Sequence, residues 1–264
     1  MMKVIDVTKY KNVYATGDIH GNIRQLSFAI NEVKKMKDSF VIVCGDIGFG
    51  FTSPINISND LDRICHKLGK NGNAIGVFRG NHDDPSWFHN TEQVNEICLQ
   101  KGAKGIMRDE FMIIDDYTVL KTRYGNILCI GGARSIDKCV RIEGMSWWSG
   151  EMVDNLPENF FEELGDIKID YVCSHTAPSV AYPLGSGGIM NDFAMYDETL
   201  FEECECERVK LSELWALLTE NGHDIKYWLY GHFHAHHERL VDKTCFICLD
   251  MIRNNCDFHK FQKQ

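Results

Sequence analysis

Short apolar runs, each closed by a polar and glycine-rich turn, recur along the first third of the chain. Asn12-Val13-Tyr14-Ala15 reads as a strand and leads into Thr16-Gly17-Asp18-Ile19-His20-Gly21-Asn22. Ile23, Leu26, Ile30 and Val33 then return at helical spacing, with Asn22 placed to cap that helix. Ser39–Cys44 is a continuous apolar run, as in a strand covered on both faces, and exits through Gly45-Asp46-Ile47-Gly48-Phe49-Gly50. Leu61, Ile64, Cys65 and Leu68 mark a second helix. Ala74–Phe78 is a third buried strand, ending in Arg79-Gly80-Asn81-His82-Asp83-Asp84. This rhythm of strand, turn and helix predicts an α/β fold with polar groups gathered at the strand ends, where such sheets bind ligands.

The pattern changes after Gly102. Phe111–Leu120 and Ile127–Ile130 predict an antiparallel hairpin, turning at Tyr124-Gly125-Asn126 and entering a second sheet. It closes in Gly131-Gly132-Ala133-Arg134-Ser135-Ile136-Asp137-Lys138. Residues 139–165 hold Trp147-Trp148 and an acidic stretch expected to be helical. Tyr171–Cys173 is a strand that exits through Ser174-His175. Residues 179–207 are the least regular part and read as an insertion or lid. Leu211, Leu214, Trp215 and Leu218 predict a helix stopped at Gly222. Tyr227–Tyr230 feeds Gly231-His232-Phe233-His234, and Phe246–Leu249 is a last strand. With no linker, repeat or low-complexity tract, residues 1–264 are expected to form a single domain.

Composition narrows the function classes. A hydrophobic content of 44% is ample for a core. The net charge of -10 argues against a general nucleic-acid binder and against a long duplex as partner. The eleven cysteines are odd in number and show no disulfide framework, which points to a reducing cytoplasm. No apolar run is long enough for a membrane span, and the N-terminus lacks the apolar segment of a secretory signal.

The candidate chemistry lies at the strand ends. Asp18 and His20 stand two apart, so an extended segment turns both to one side, as a hard oxygen and an imidazole on one divalent metal require. Four further strand ends offer Asp46, Asn81 with His82, His175, and His232 with His234. Each has a local alternative, such as a turn cap for Asp46 or a buried, hydrogen-bonded ring for His175. Five such ends in succession point to one shared site.

In this order, Gly17-Asp18-Ile19-His20-Gly21-Asn22, Gly45-Asp46, Gly80-Asn81-His82-Asp83, Ser174-His175 and Gly231-His232-Phe233-His234 resemble the five motifs of the calcineurin-like metallophosphoesterases. The resemblance implies a four-layer α/β/β/α sandwich of two mixed sheets flanked by helices. It also implies two divalent metal ions, manganese first, with iron, zinc, cobalt or nickel as alternatives. Asp18, His20 and His234 would hold one ion, and Asn81, His175 and His232 the other. Asp46 would bridge them. His82 would stand beside the substrate as general acid or charge stabiliser, with Asp83 or Asp84 as its carboxylate partner.

The implied activity is hydrolysis of a phosphate monoester or diester on a small molecule or nucleotide, with a metal-bridging hydroxide as nucleophile. A nuclease of short or single-stranded nucleic acid and a catalytically silent scaffold are the alternatives. The chain departs from the protein phosphatases of this family, which follow the second motif's aspartate with Asp-Arg-Gly. Phe49-Gly50-Phe51 stands there instead. A replacement phosphate clamp is expected from Arg134 or Arg141, while Arg79 ties loops together. Gly131–Lys138 with Arg141 is similar to poorly characterised bacterial and phage phosphoesterases. Trp147 and Trp148 suit either base stacking or lid packing, and Glu151 and the acidic Cys204–Cys206 segment read as solvated surface.

Overall fold

In the computed structural model, which describes residues 2–183, 187–252 and 257–262, the strands form two mixed sheets. β1 (Val4–Asp6) and β6 (Thr118–Lys121) start the larger, and β7 (Asn126–Ile130), β8 (Tyr171–Ser174), β9 (Tyr227–Tyr230), β11 (Thr244–Cys248) and β10 (His237–Val241) complete it in that spatial order. The smaller sheet has β2 (Asn12–Thr16), β3 (Ser39–Val43), β4 (Ala74–Val77) and β5 (Phe111–Ile113) in parallel, with β12 (Phe258–Lys260) antiparallel on the edge of β2.

Side-chain alternation builds the layers. On β3, Val41 and Val43 face α1 (Ile23–Phe28), α2 (Pro54–Lys70) and α4 (Thr91–Gln100), which follows the short α3 (Ser86–His89). Phe40, Ile42 and Cys44 turn the other way and pack between the sheets on Leu120, Cys129, Cys173 and Leu229. Their neighbours Val119, Leu128, Val172 and Trp228 face α5 (Phe160–Leu164) and α7 (Leu200–Glu220). The four layers thus follow from period-two patterning in central strands that have no solvent face.

Three segments differ from expectation. The run Phe111–Leu120 is divided between the sheets, with β5 pairing with β4 and β6 with β7. Asp115 and Asp116 interrupt it, and the Asp116 carboxylate is taken up by Arg79 Nε at 2.7 Å and Gly131 N at 2.7 Å. Residues 139–165 are mostly irregular, with one helical turn at Lys138–Val140 and α5. There Arg79 donates to the carbonyls of Gly150, Glu151 and Met152, so a buried cation holds a loop where a helix was expected. Arg79 ties loops as its sequence position suggests. Residues 179–207 hold α6 (Gly187–Ala194) and the start of α7, more regular than expected. The acidic run is the first turns of α7, where Glu202 and Glu203 suit the positive helix terminus. Asn22 precedes α1, but its amide donates to Ile19 O at 3.0 Å and does not cap.

The ten cysteines among the described residues are free thiols. Among these residues no helix is long and apolar enough to cross a membrane.

Glu207 is buried on α7, with Oε2 lacking a hydrogen-bond partner. Burial pushes its carboxyl up to about 7. The folded protein therefore holds this proton more tightly than the unfolded chain, and stability falls as pH rises between the ordinary glutamate value and about 7. Glu207→Gln carries no such penalty. It should gain roughly 2–3 kcal/mol on the wild type between pH 5 and pH 8, read as a difference in urea midpoints at the two pH values.

Candidate metal centre

Parallel strands deliver their exit loops to one edge, and the two sheets bring those edges together. The loop after β2 carries Asp18 and His20, that after β3 carries Asp46, and that after β4 carries Asn81 and His82. From the other sheet, β8 ends at His175, and β9 at His232 and His234. The seam between the sheets is fixed by His175 Nδ1, which donates across it to Cys44 O at 2.7 Å.

The seven side chains singled out as ligands converge. Asp18 Oδ2 lies 3.0 Å from His234 Nε2, which lies 2.9 Å from His20 Nε2. Asn81 Oδ1 is 2.9 Å from His175 Nε2 and 3.0 Å from His232 Nδ1. Asp46 stands between the two groups, with Oδ2 3.8 Å from His20 Nδ1 and Oδ1 3.3 Å from His175 Nε2. Ligand atoms of Asp18, His20, Asp46 and His234 all fall within 4.8 Å of one another.

The donor chemistry fits cations. Because His175 Nδ1 carries the hydrogen given to Cys44 O, the neutral ring presents a lone pair at Nε2, and that lone pair faces the oxygens of Asn81 and Asp46. His20 and His234 point Nε2 at each other. Asp46 Oδ2 is buried with no hydrogen-bond partner. A buried carboxylate oxygen left without a donor beside imidazole nitrogens suits positive charge between them, and mixed carboxylate, amide and imidazole donors suit first-row divalent ions.

Electrostatics agree. Burial alone would raise the Asp46 carboxyl, but His175, His82 and His20 outweigh it and hold it at about 2. Burial drives His232 well below the usual imidazole range, aided by His175, so this ring is a neutral donor. The hydrogen bond to Asp18 lifts His234.

The backbone is strained here. His20, Asp46, His232 and His234 have φ of +44°, +53°, +68° and +52°, the left-handed region that costs about 1–2 kcal/mol for each such residue. Neighbouring glycines admit the close approach: a Cβ on Gly80 would overlap Asp46 Oδ1, and one on Gly231 would overlap Asp18 Oδ1.

His82 faces the cluster through a different partner than expected. Its ring contacts the Arg141 guanidinium, with Nε2 3.0 Å from Nη2, and stacks near Phe51 at 6.0 Å. Asp137 grips Arg141 from Nε at 2.6 Å and Nη2 at 2.8 Å. Burial lowers the His82 imidazole, and Arg141 adds to that, so the ring is biased to its neutral form.

Asp83, expected as the partner of His82, turns inward and accepts from the backbone N–H groups of Ile47, Gly48, Phe49 and Gly80 at 2.7–3.2 Å. It stitches the loop of Asp46 to that of Asn81. Asp84 N and Oδ1 are likewise engaged with loop backbone, through Phe49 O and Ser86 N.

Arg134 is also corrected as a substrate contact. It is 1% exposed and committed to Glu203, to Asp197 at 2.5 Å and to the Ser135 carbonyl. Glu151, expected at the surface, is buried. It receives Ser135 N at 2.9 Å and Ser135 Oγ, which in turn accepts from Asn81 Nδ2 at 2.9 Å. This chain fixes the Asn81 amide with Oδ1 toward the histidines. The roles of Ser135, Asp137 and Glu151 escape sequence reading, although the first two follow an apolar strand in a polar turn like the other site residues. Trp148 is buried and packs edge-on to Phe51 at 5.2 Å, as a lid residue would.

The model of the calcineurin-like phosphoesterase family matches residues 11–236 of this chain. Among solved structures the chain is similar to TT1561 of Thermus thermophilus, at 12% identity and a TM-score of 0.51, with 92% of this chain and 90% of that chain covered. It is also similar to the phosphopantetheinyl hydrolase PptH from Mycobacterium tuberculosis, at 13% identity and a TM-score of 0.45, with 92% and 90% covered. A comparison with curated proteins found no match. At 12% identity the likeness to TT1561 speaks to the fold alone.

Proposed function

Because this chain belongs to the calcineurin-like phosphoesterase family, a family of metal-dependent phosphoester hydrolases, we propose that it hydrolyses phosphate esters of small molecules or nucleotides with manganese as its working metal. Asp18, His20 and His234 would hold one ion, Asn81, His175 and His232 the other, with Asp46 shared. When bound, the ions supply Lewis acidity toward the phosphoryl oxygens and acidify water at neutral pH. The observation that carries this reading is the orphaned Asp46 Oδ2, buried among histidine nitrogens that face oxygens and one another.

The chain's own residues do the rest. Glu151 and Ser135 hold the Asn81 amide so that its oxygen faces the metal site. Asp137 and Arg141 hold the His82 ring against the cluster. In the free protein burial, against the pull of Asp46 and aided by Arg141, lowers that imidazole below its ordinary value. An incoming phosphate anion offsets both effects, so the ring's proton affinity rises when substrate is present. His82 then donates toward the leaving oxygen. A reducing cytoplasm suits the free thiols.

Turnover of bis-p-nitrophenyl phosphate should vanish on chelation and return with manganese. His82→Ala should lower kcat by about a hundredfold or more, the scale of lost acid–base help, with the metal content by elemental analysis unchanged. Full activity in that variant would remove His82 from the chemistry. Turnover that survives exhaustive chelation would overturn the metal reading.

A further inference from the structure

Two hollows meet at His82, which lines both. One, of about 380 Å³, opens from Asn81 and His232 toward Tyr182, Met190, Phe193 and Arg208, against α6 and α7. The other, of about 410 Å³, runs from His20 past Phe51, Thr52 and Asn56. The metal cluster therefore lies between two receptacles. A phosphate with one organic substituent fills one of them, and a phosphate with two fills both.

Charge points the same way. A monoester dianion carries one more terminal oxygen and one more negative charge than a diester, which a free cationic side chain beside the ions would favour. Arg141 is not free: Nε and Nη2 are on Asp137, Nη1 is on the Ser146 carbonyl, and both terminal nitrogens contact His82. Arg134 is committed to Asp197 and Glu203, and among the described residues no lysine lines either hollow. The remaining cation among them, Arg208, is 9% exposed and sits on the chamber wall with its guanidinium 4.0 Å over the Tyr182 ring.

The hollows differ in chemistry. Tyr182, Phe193 and Phe233 give the chamber aromatic walls, with the Arg208 guanidinium as a polar handle. In the groove, Thr52 Oγ1 and the Asn56 amide, 3.0 Å apart, are hydroxyl and amide partners at the surface. Resting on the hydrolase reading above, we propose that the substrate is a small phosphodiester with two unlike arms. An aromatic or apolar arm lies in the α6–α7 chamber, and a hydroxyl-bearing arm such as a sugar lies along Phe51 and Asn56. Water adds to phosphorus, one ester P–O bond breaks, and the departing alcohol takes the proton, leaving a phosphate monoester.

The test compares three chromogenic esters on the manganese-loaded protein: p-nitrophenyl phosphate, bis-p-nitrophenyl phosphate and the p-nitrophenyl ester of thymidine 5′-phosphate. Both diesters should exceed the monoester in kcat/KM by about thirtyfold or more, the unsymmetrical one by most, a range that filled pockets commonly supply. Phe193→Asp in the chamber and Asn56→Trp in the groove should each shrink the diester-to-monoester ratio by about tenfold. Titration calorimetry gives a second reading without turnover. Diphenylphosphinate, whose two arms hang on P–C bonds, should bind about tenfold more tightly than one-armed phenylphosphonate, and Phe193→Asp should erase the difference. Equal or faster monoester hydrolysis, equal binding of the two P–C compounds, or faster cleavage of a single-stranded oligonucleotide than of any small diester would overturn the proposal. If no ester is turned over yet the phosphinate preference holds, the hydrolase reading fails while the two-armed site stands.

Discussion

Asp46→Asn is expected to lower turnover by at least about a hundredfold and to abolish the thermal stabilisation that manganese gives the wild type. The carboxylate stands between both sets of histidines, with Oδ2 toward His20 and Oδ1 toward His175. An amide can present one oxygen to a cation but puts an N–H₂ on the other side, where a lone pair is needed. A ligand that binds only the folded state at about a hundred times its Kd adds roughly 2.7 kcal/mol, so the lost metal should be visible as a missing rise in Tm. The fold itself should survive, because the hydrogen bonds from His20 N to Asp46 O and from Gly21 N to Ile47 O do not involve the side chain, and the amide oxygen can still accept from His82 N as Asp46 Oδ1 does at 2.8 Å. Calorimetric melts with and without manganese, beside kcat, check this. A variant that keeps both the metal-induced Tm rise and its turnover would remove Asp46 from the centre.

The same carboxylate sets an acid limit. Histidines hold Asp46 at about 2, below its ordinary value, so the metal-free folded protein resists its protonation. That stabilisation is complete above the ordinary aspartate range and is lost as pH falls toward about 2.

The second large effect is structural. Asp83→Ala should destabilise the protein by about 3–5 kcal/mol, because four buried backbone N–H groups lose their acceptor together. Each kilocalorie moves Tm by roughly 2–4 °C in a chain of this size, so a fall near 10 °C is expected. Activity should fall with it even below the melting range, since those N–H groups belong to the loops that aim Asp46 and Asn81. Asp83→Asn keeps one acceptor oxygen and turns N–H₂ toward the remaining donors, so it should lie between the alanine variant and the wild type. A Tm within about 2 °C of wild type in Asp83→Ala would show that the loops hold without this carboxylate.

What could be read directly from the residues is what local rules govern. Strands β3, β4 and β9 are nearly unbroken apolar runs, and a chain with helices between such runs has few ways to cover them. The ligand candidates stand within a few residues of strand ends, so chain order alone lists them. Arg141 was one of two candidate arginines, and no local feature separates it from Arg134. Partners distant in sequence do: Arg134 is claimed by Asp197 and Glu203 from the α6–α7 region, while Arg141 meets the His82 ring. Glu151 looked solvated because nothing beside it in sequence predicts that Ser135 would fold over it.

The hydrophobic period and the polar strand exits, both short-range properties, were enough to determine two covered sheets and the residue types available at their shared edge. Only the packed fold decided which carboxylates face the histidine cluster and which face backbone, since Asp46 and Asp83 differ by neighbours contributed from other loops. The two hollows beside His82 are likewise a product of tertiary packing, because each is walled by segments that meet only when the helices dock on the sheets.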